Sequence, residues 1–127
     1  GHTLKWFTVF ACILGALGVI LGAFAAHGLK HIFSDQQLTI WRTAVFYHML
    51  HTLLLFGVSQ LTSDLFVRSS CYLLSVGIVL FSGSLYSILL LTASGWSSSG
   101  IGILTPIGGL CFVCAWFCLA VHFLLRR

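Results

Sequence analysis

Four long apolar runs constrain the fold of this chain more than any other feature. They lie at about 6–26, 43–62, 66–92 and 103–125. Each supplies the roughly 20 residues with which a helix crosses a hydrocarbon core of about 30 Å. Backbone groups find no water in that core, so a spanning segment must be a helix or part of a closed barrel. The runs lack the short alternating pattern of barrel strands, and they therefore predict an all-α, four-transmembrane-helix bundle.

The charge content indicates the same class. Of the 127 residues, 59% are hydrophobic and only 6% are charged, and the mean hydropathy is +1.09. A soluble domain has roughly a quarter of its residues charged, and without them it exposes apolar surface over most of its exterior. The Lys and Arg residues are dispersed, which argues against nucleic-acid binding. We expect one integral membrane domain, residues 1–127, whose partners are membrane lipids.

The distribution of basic residues predicts an orientation. With four spans, the N-terminus, the second connection and the C-terminus lie on the same side of the membrane. The basic residues of that side are Lys5, Arg68, Arg126 and Arg127. The opposite side holds Lys30 and Arg42. By the positive-inside rule, this excess predicts a multi-pass protein with cytoplasmic N- and C-termini.

The first connection contains a start signal for the second helix. Ser34 is followed three residues later by Gln37, a capping-box pattern that places the start of the helix near Asp35. Aromatic and basic side chains at a membrane boundary commonly anchor a helix in the headgroup region. We therefore predict Trp41 and Arg42 as boundary anchors, with Trp96 in the same role in the third connection.

Small residues on the first helix predict close packing. Gly15, Gly18 and Gly22 recur at steps of three and four residues and share one face. In lipid, such a face lets a second backbone approach closely. The groove is predicted to receive either a neighbouring span or a second copy of the chain, so a homo-oligomer is one alternative.

The scarce polar groups of the spans suggest a site. Tyr47, His48 and His51 share a face of the second helix, and Arg42 lies on the opposite face. His51 lies roughly 14 Å deeper than Arg42, near the bilayer midplane, where an ionisable group is costly. We expect one polar pocket in the outer half of the membrane that binds a lipid or small ligand. Its predicted lining is His27, Tyr47, His51, Ser82, Ser84, Tyr86 and Thr105. The alternative is a network of interhelical hydrogen bonds, each contributing about 0.6–2 kcal/mol.

Metal, cofactor and catalytic roles receive little support from the sequence. The spacings of His27 with His31, and of His48 with His51, are compatible with metal ligation, but no span contains a carboxylate. Helix 4 has a cysteine stripe at Cys111, Cys114 and Cys118, followed by His122. A C-x-x-C without a second copy is weak, and buried cysteine usually behaves as a small apolar residue. We predict no metal and no cofactor.

The absence of acidic groups from the spans also bears on function. No G-x-S-x-G sequence and no buried acid is present to support hydrolase chemistry, so we expect a non-enzymatic protein. Ion-coupled transporters usually place a carboxylate in the membrane. The alternative that remains is a small channel or transporter that works as an oligomer and uses histidine.

Four segments in order resemble one family. They are "LGAFAAHGLK" (21–30), "WRTAVFYHMLH" (41–51), "GIVLFSGSLY" (77–86) and "LTPIGGL" (104–110). The chain resembles the domain-of-unknown-function 423 family, the small YgdD-like bacterial inner-membrane proteins. The resemblance implies four spans, an inner-membrane location and no established biochemical activity, with a structural or stress-adaptation role as one option. His48 departs from the family, which more often has Gln there, and this weakens the His48/His51 metal pair. The cysteine stripe also differs from the family pattern.

Overall fold

Four α-helices make up most of the described chain. The structure is a computed structural model that describes the backbone of residues 2–126 and the side chains of residues 4–126. Helix α1 covers His2–His27, α2 Asp35–Val58, α3 Leu65–Ala93 and α4 Leu104–Leu125, with 3₁₀ turns at Leu29–His31 and Ile101–Ile103. Three segments are long and apolar enough to cross a membrane, namely Leu4–His27, Leu65–Ala93 and Ile101–Leu125. The all-helical prediction is confirmed, and three membrane-spanning candidates are confirmed by length and composition.

The start of α2 follows the predicted capping box. The Ser34 hydroxyl accepts from the Gln37 backbone N–H at 3.2 Å, and the Ser34 N–H donates to Gln37 Oε1 at 2.9 Å. Helix α2 therefore begins at Asp35, outside the apolar run. It ends at Val58, earlier than the predicted 62, because the chain turns here and Asp64 caps the next helix by accepting from the Val67 N–H at 2.8 Å.

Consecutive helices run antiparallel. The Thr8 hydroxyl donates to Ser59 Oγ at 2.8 Å, which joins the start of α1 to the end of α2. His122 Nδ1 lies 2.6 Å from Asp64 Oδ2, which joins the end of α4 to the start of α3. The start of α1, the 59–64 connection and the end of α4 therefore share one end of the bundle, called here the termini end. The 28–34 and 94–103 connections lie at the other end, called here the loop end.

The closest helix contacts depend on glycine. A Cβ at Gly77 would lie 2.7 Å from ring atoms of Phe112, and one at Gly108 would overlap the backbone of Phe81. On α1, a Cβ at Gly18 would overlap the side chain of Met49 of α2. The predicted groove of α1 thus receives a neighbouring helix of the same chain.

Apolar side chains fill the interior in two clusters. The larger draws on all four helices and includes Leu14, Leu55, Leu74 and Phe112. The second lies at the loop end around Trp41, Leu29 and Leu89. Together they give α2 buried partners on both α1 and α3.

Trp41 differs from its predicted boundary role. Its side chain is only 1% exposed and packs 4.8 Å, centroid to centroid, from the ring of Tyr86. The indole N–H donates to the Leu21 carbonyl at 2.9 Å, which satisfies its one polar atom inside the bundle. Trp41 is therefore a core residue and not a lipid-facing anchor. Arg42 and Trp96 are exposed, Arg42 in a cleft that includes Gly22 and Ala26.

Candidate functional site: the buried polar face of α2

Between residues 45 and 54, helix α2 places polar side chains inside the bundle and large apolar side chains outside. His48, His51 and Thr52 are buried. The exposed large apolar side chains of α2 include Phe46, Leu50, Leu53 and Phe56. This is the reverse of a helix on a water-soluble protein. It is the arrangement expected where the surroundings are lipid and the buried histidines find their partners within the protein.

His48 joins three helices. Its side chain is 3% exposed, with Nε2 2.7 Å from the Leu14 carbonyl oxygen of α1 and Nδ1 2.9 Å from the Tyr86 hydroxyl of α3. A carbonyl oxygen can only accept, so Nε2 carries the hydrogen of this contact. In the neutral ring Nδ1 then accepts from the Tyr86 O–H. One imidazole thus connects α1, α2 and α3 with a defined tautomer.

The absence of a side chain at Gly18 makes room for this imidazole. A Cβ there would lie 3.3 Å from His48 Nε2, besides overlapping Met49. The small-residue face of α1 therefore does more than bring two backbones together. It gives the His48 ring access to the Leu14 carbonyl.

His51 makes a second connection, to α4. Its Nδ1 donates to the Tyr47 carbonyl at 2.9 Å, and its Nε2 accepts from the Trp116 indole N–H at 3.2 Å. The ring is stacked on Phe112, with 3.7 Å between centroids and 7° between planes. Protonation of Nε2 would set two donors against each other and break the bond from Trp116. The surroundings therefore favour neutral imidazole.

Hydroxyl groups add further connections. The Ser82 hydroxyl of α3 donates to the Ala44 carbonyl of α2 at 2.7 Å. Ser84 and Thr105 share a hydrogen bond of 2.5 Å between α3 and α4. Ser84 also donates to the carbonyl of Phe81 at 2.9 Å.

The structure divides the seven predicted lining residues into separate groups. Tyr86 pairs with His48, Ser82 with Ala44, and Ser84 with Thr105, while His51 lies beside Phe112 and Trp116 and stacks with Tyr47. His27 is exposed at the end of α1. Of this set, Tyr47 combines a 37% exposed side chain with a ring packed against Phe81, 4.8 Å between centroids.

Sequence reasoning underrated His48. The departure from the family pattern at this position weakened the case for His48, yet its ring bonds to two other helices, whereas the ring of His51 bonds to one. Its position beside Ala44 on the inward face was the available signal. The partners of His51, Phe112 and Trp116, were not predicted, because the rotation of α4 about its axis decides which of its aromatic rings meets α2.

The sequence analysis also did not predict the hydrogen-bonded pair of Asp64 and His122 at the termini end. His122 is nearly buried and Asp64 is 44% exposed, and their side chains meet at 2.6 Å. The hydrogen bond from the Val67 N–H lowers the pKa of the Asp64 carboxyl below its usual value, and His122 acts in the same direction. Two features partly indicated this pairing, namely the cap pattern at Asp64 and the antiparallel order of the helices.

The cysteines of α4 do not form a closed group. Cys114 is exposed, Cys111 and Cys118 are partly buried, and all three are free thiols. In the part of the chain that the structure describes, no group of three or more His, Cys, Asp or Glu residues is placed to hold a metal ion.

Comparison with known proteins identifies relatives across most of the chain. A family model described as "Protein of unknown function (DUF423)" matches residues 21–109. The UPF0382 membrane protein YwdK of Bacillus subtilis is 43% identical, covering 93% of this chain and 95% of the relative. The UPF0382 inner membrane protein YgdD of Escherichia coli is 33% identical, covering 90% and 86%. No solved structure matches.

Proposed function

This chain belongs to the DUF423 family, whose relatives are named membrane proteins, and we propose that it is a non-enzymatic, four-span structural protein of the bacterial inner membrane. In this proposal the polar face of α2 holds the bundle rigid, and the outer surface organises the surrounding lipid. The carrying observation is that α2 makes side-chain hydrogen bonds to all three other helices, through His48, His51 and the Ala44 carbonyl.

The proposal makes α2 the fourth span. Its 24 residues extend about 36 Å, more than a hydrocarbon core of about 30 Å. Helix α2 is not among the three segments that qualify by length and composition. Its two histidines, however, are turned inward, so composition alone gives a misleading measure of what lipid would contact. The exposed side chains Phe46, Leu50 and Leu53 provide an apolar surface.

In the proposed orientation, the termini end lies in the cytoplasm. Lys5, Arg68 and Arg126 lie at this end of the bundle, as the positive-inside rule requires of the cytoplasmic face. Cysteine labelling in cells would test this orientation in a variant whose own five cysteines are replaced. Ser98→Cys, in the 94–103 connection, should react with an impermeant maleimide in intact cells. Ser63→Cys should react only after permeabilisation, and the reverse pattern contradicts the orientation.

The hydrogen bonds of the polar face support a structural role over conduction. His48 and His51 are each held by partners on both ring nitrogens. We expect liposomes containing the protein to show the same proton and ion flux as empty liposomes. A flux that appears with the wild type and disappears with His51→Ala would contradict the proposal and favour the histidine channel.

For a ligand in the outer half of the bundle, the exposed side of Tyr47 is the remaining proposed binding place. The hydroxyls of Ser82, Ser84 and Tyr86 each have a partner within the bundle. A ligand would therefore meet Tyr47 first, above the Phe81 ring. If a co-purified ligand is found, Tyr47→Phe should weaken its retention, whereas retention unchanged by this substitution excludes the site.

A further inference from the structure

Two adjoining clefts open at the termini end. The first, of about 580 Å³, lies between the 59–64 connection, the start of α3 and the end of α4. It is polar in part and is lined among others by Gln60, Asp64, His122 and Arg126. The second, of about 510 Å³, lies between α2 and α4, is almost wholly apolar and includes Leu53, Gly57, Trp116, Ala120 and Phe123 in its walls. Leu61 lines both clefts, so the two adjoin at this residue.

The apolar cleft extends into one leaflet. From Trp116 to Phe123 it covers about 10 Å along α4, at 1.5 Å per residue. Half of a hydrocarbon core of about 30 Å is about 15 Å. With the polar cleft at the membrane boundary, the apolar cleft therefore covers about two thirds of the depth of that leaflet. An acyl chain entering from the same leaflet would fit this depth.

Gly57 faces open space in the wall of the apolar cleft. A Cβ built at this position meets nothing within 4 Å. The glycines at the α1–α2 and α3–α4 contacts differ, since a Cβ at Gly18 or Gly108 would overlap a neighbour. The opening beside Gly57 thus lies between α2 and α4, which are not packed closely against each other here.

The polar cleft presents two opposite charges. Asp64 Oδ1 accepts from the Val67 N–H at 2.8 Å and Oδ2 from His122 at 2.6 Å, which orients the carboxylate while its side chain stays 44% exposed. The Arg126 guanidinium lies 5.8 Å from the centroid of the Phe123 ring. Because Phe123 lines the apolar cleft, the cation stands at the junction of the two clefts.

We propose that this double cleft binds a phospholipid with a zwitterionic, primary-amine headgroup. Arg126 contacts the phosphate, Asp64 accepts hydrogen bonds from the ammonium group, and one acyl chain lies between α2 and α4 beside Gly57. A partly exposed carboxylate and a guanidinium that line the same cleft complement this headgroup better than a headgroup with only negative charge. A quaternary amine has no N–H to donate to Asp64. This inference rests on the proposed four-span arrangement.

Native mass spectrometry of the intact protein in detergent tests the binding. The probes are phosphatidylethanolamine, phosphatidylcholine and phosphatidylglycerol with identical acyl chains, added at equal concentrations. We expect the wild type to retain phosphatidylethanolamine in preference to the other two. Equal retention of all three lipids overturns the proposal.

Substitution of Gly57 tests the acyl-chain cleft. Gly57→Leu should weaken binding of phosphatidylethanolamine roughly tenfold, the effect of losing about two buried methylene contacts. Gly83→Leu is the matched control, since a Cβ at Gly83 of α3 also meets nothing within 4 Å. Equal losses in the two variants contradict the proposal. If Gly57→Leu fails to fold, Ala120→Leu fills the cleft from the opposite wall and should give the same loss.

Substitution of Asp64 tests the headgroup cleft. Asp64→Asn keeps an oxygen for the Val67 N–H but removes the charge, so the preference for phosphatidylethanolamine over phosphatidylcholine should disappear. Asp35→Asn, at the start of α2 and the opposite end of the bundle, should leave the preference intact. A preference that survives Asp64→Asn overturns the headgroup assignment. Because binding is measured in detergent and topology by labelling in cells, failure of the lipid site and failure of the four-span proposal give separate results.

Discussion

The middle of the bundle and its termini end use polar side chains in opposite ways. In the middle, His48, His51 and Ser82 are buried, and each bonds to another helix or to its own backbone. At the termini end, Asp64 is partly exposed, Arg126 is exposed, and both line an open cleft. The glycines of the two regions also differ. Gly18 and Gly108 allow close contact with a neighbouring helix, whereas Gly57 faces open space. Polar groups that complete the fold and polar groups that can meet a ligand thus lie in different sections of the bundle.

The largest effect is expected from His48→Leu. The substitution removes two hydrogen bonds and leaves the Tyr86 hydroxyl buried without its partner, at a cost of about 3 kcal/mol in the free energy of unfolding. Thermal or denaturant unfolding in detergent would measure it. His27→Leu, at an exposed histidine, is the control and should change stability by less than about 0.5 kcal/mol. Equal values for the two variants would mean that His48 does not hold the middle together.

Adjacent glycines of α4 provide the next comparison. Gly108→Ala forces a methyl group against the Phe81 backbone, which cannot move aside as a flexible side chain can, and should cost about 2 kcal/mol. In Gly109→Ala the new methyl group meets only Phe81 Cδ2 at 3.8 Å, an ordinary contact. Unfolding curves of the two variants should therefore differ clearly. Similar curves would show that the α3–α4 contact is looser than described.

Tyr86→Phe isolates one bond of the His48 cluster. It removes only the hydroxyl that donates to His48 Nδ1 and should cost about 1 kcal/mol. Combined with His48→Leu in a double-mutant cycle, it should cost nothing further and should recover part of the loss, because it removes the hydroxyl that His48→Leu leaves without a partner. Additive losses would contradict a direct bond between the two side chains.

The smallest effect is expected at the termini end. The pKa of the Asp64 carboxyl is lowered from 3.8 in the folded state, chiefly by the Val67 N–H. The stability that the ionised group contributes is present above that ordinary value and is lost as the pH falls through the lowered pKa. The stability difference between wild type and Asp64→Asn should therefore shrink as the pH is lowered from 7 towards 3. A difference that grows on acidification would contradict the assigned shift.

Local signals predicted the helices well. Apolar run length gave the positions of the four helices, and the capping box gave the first residue of α2, because both depend on residues close together in sequence. The end of α2 was misplaced, since the cap at Asp64 had not been recognised. Trp41 was assigned to the boundary from its position near the start of a run, whereas its burial depends on contacts with Phe33 and Tyr86.

The partners of the polar residues could not be predicted in the same way. Helical spacing correctly placed His48 and His51 on the inward face of α2. Which residue each ring meets depends on the rotation and depth of the other helices, which no local pattern specifies. The seven residues expected in one pocket therefore lie in separate groups, with His27 exposed at the end of α1. The resemblance also gave His48 too little weight.

The central proposal is that α2 crosses the membrane with its apolar face in lipid. Spin labels at Phe46→Cys, Leu50→Cys and Leu53→Cys, in a cysteine-free protein in liposomes, report their surroundings by electron paramagnetic resonance. All three labels should relax more with dissolved oxygen than with a water-soluble nickel complex, while a label at Ser97→Cys in the third connection should show the opposite order. Labels on α2 that respond mainly to the nickel complex would place this helix in water and contradict the account.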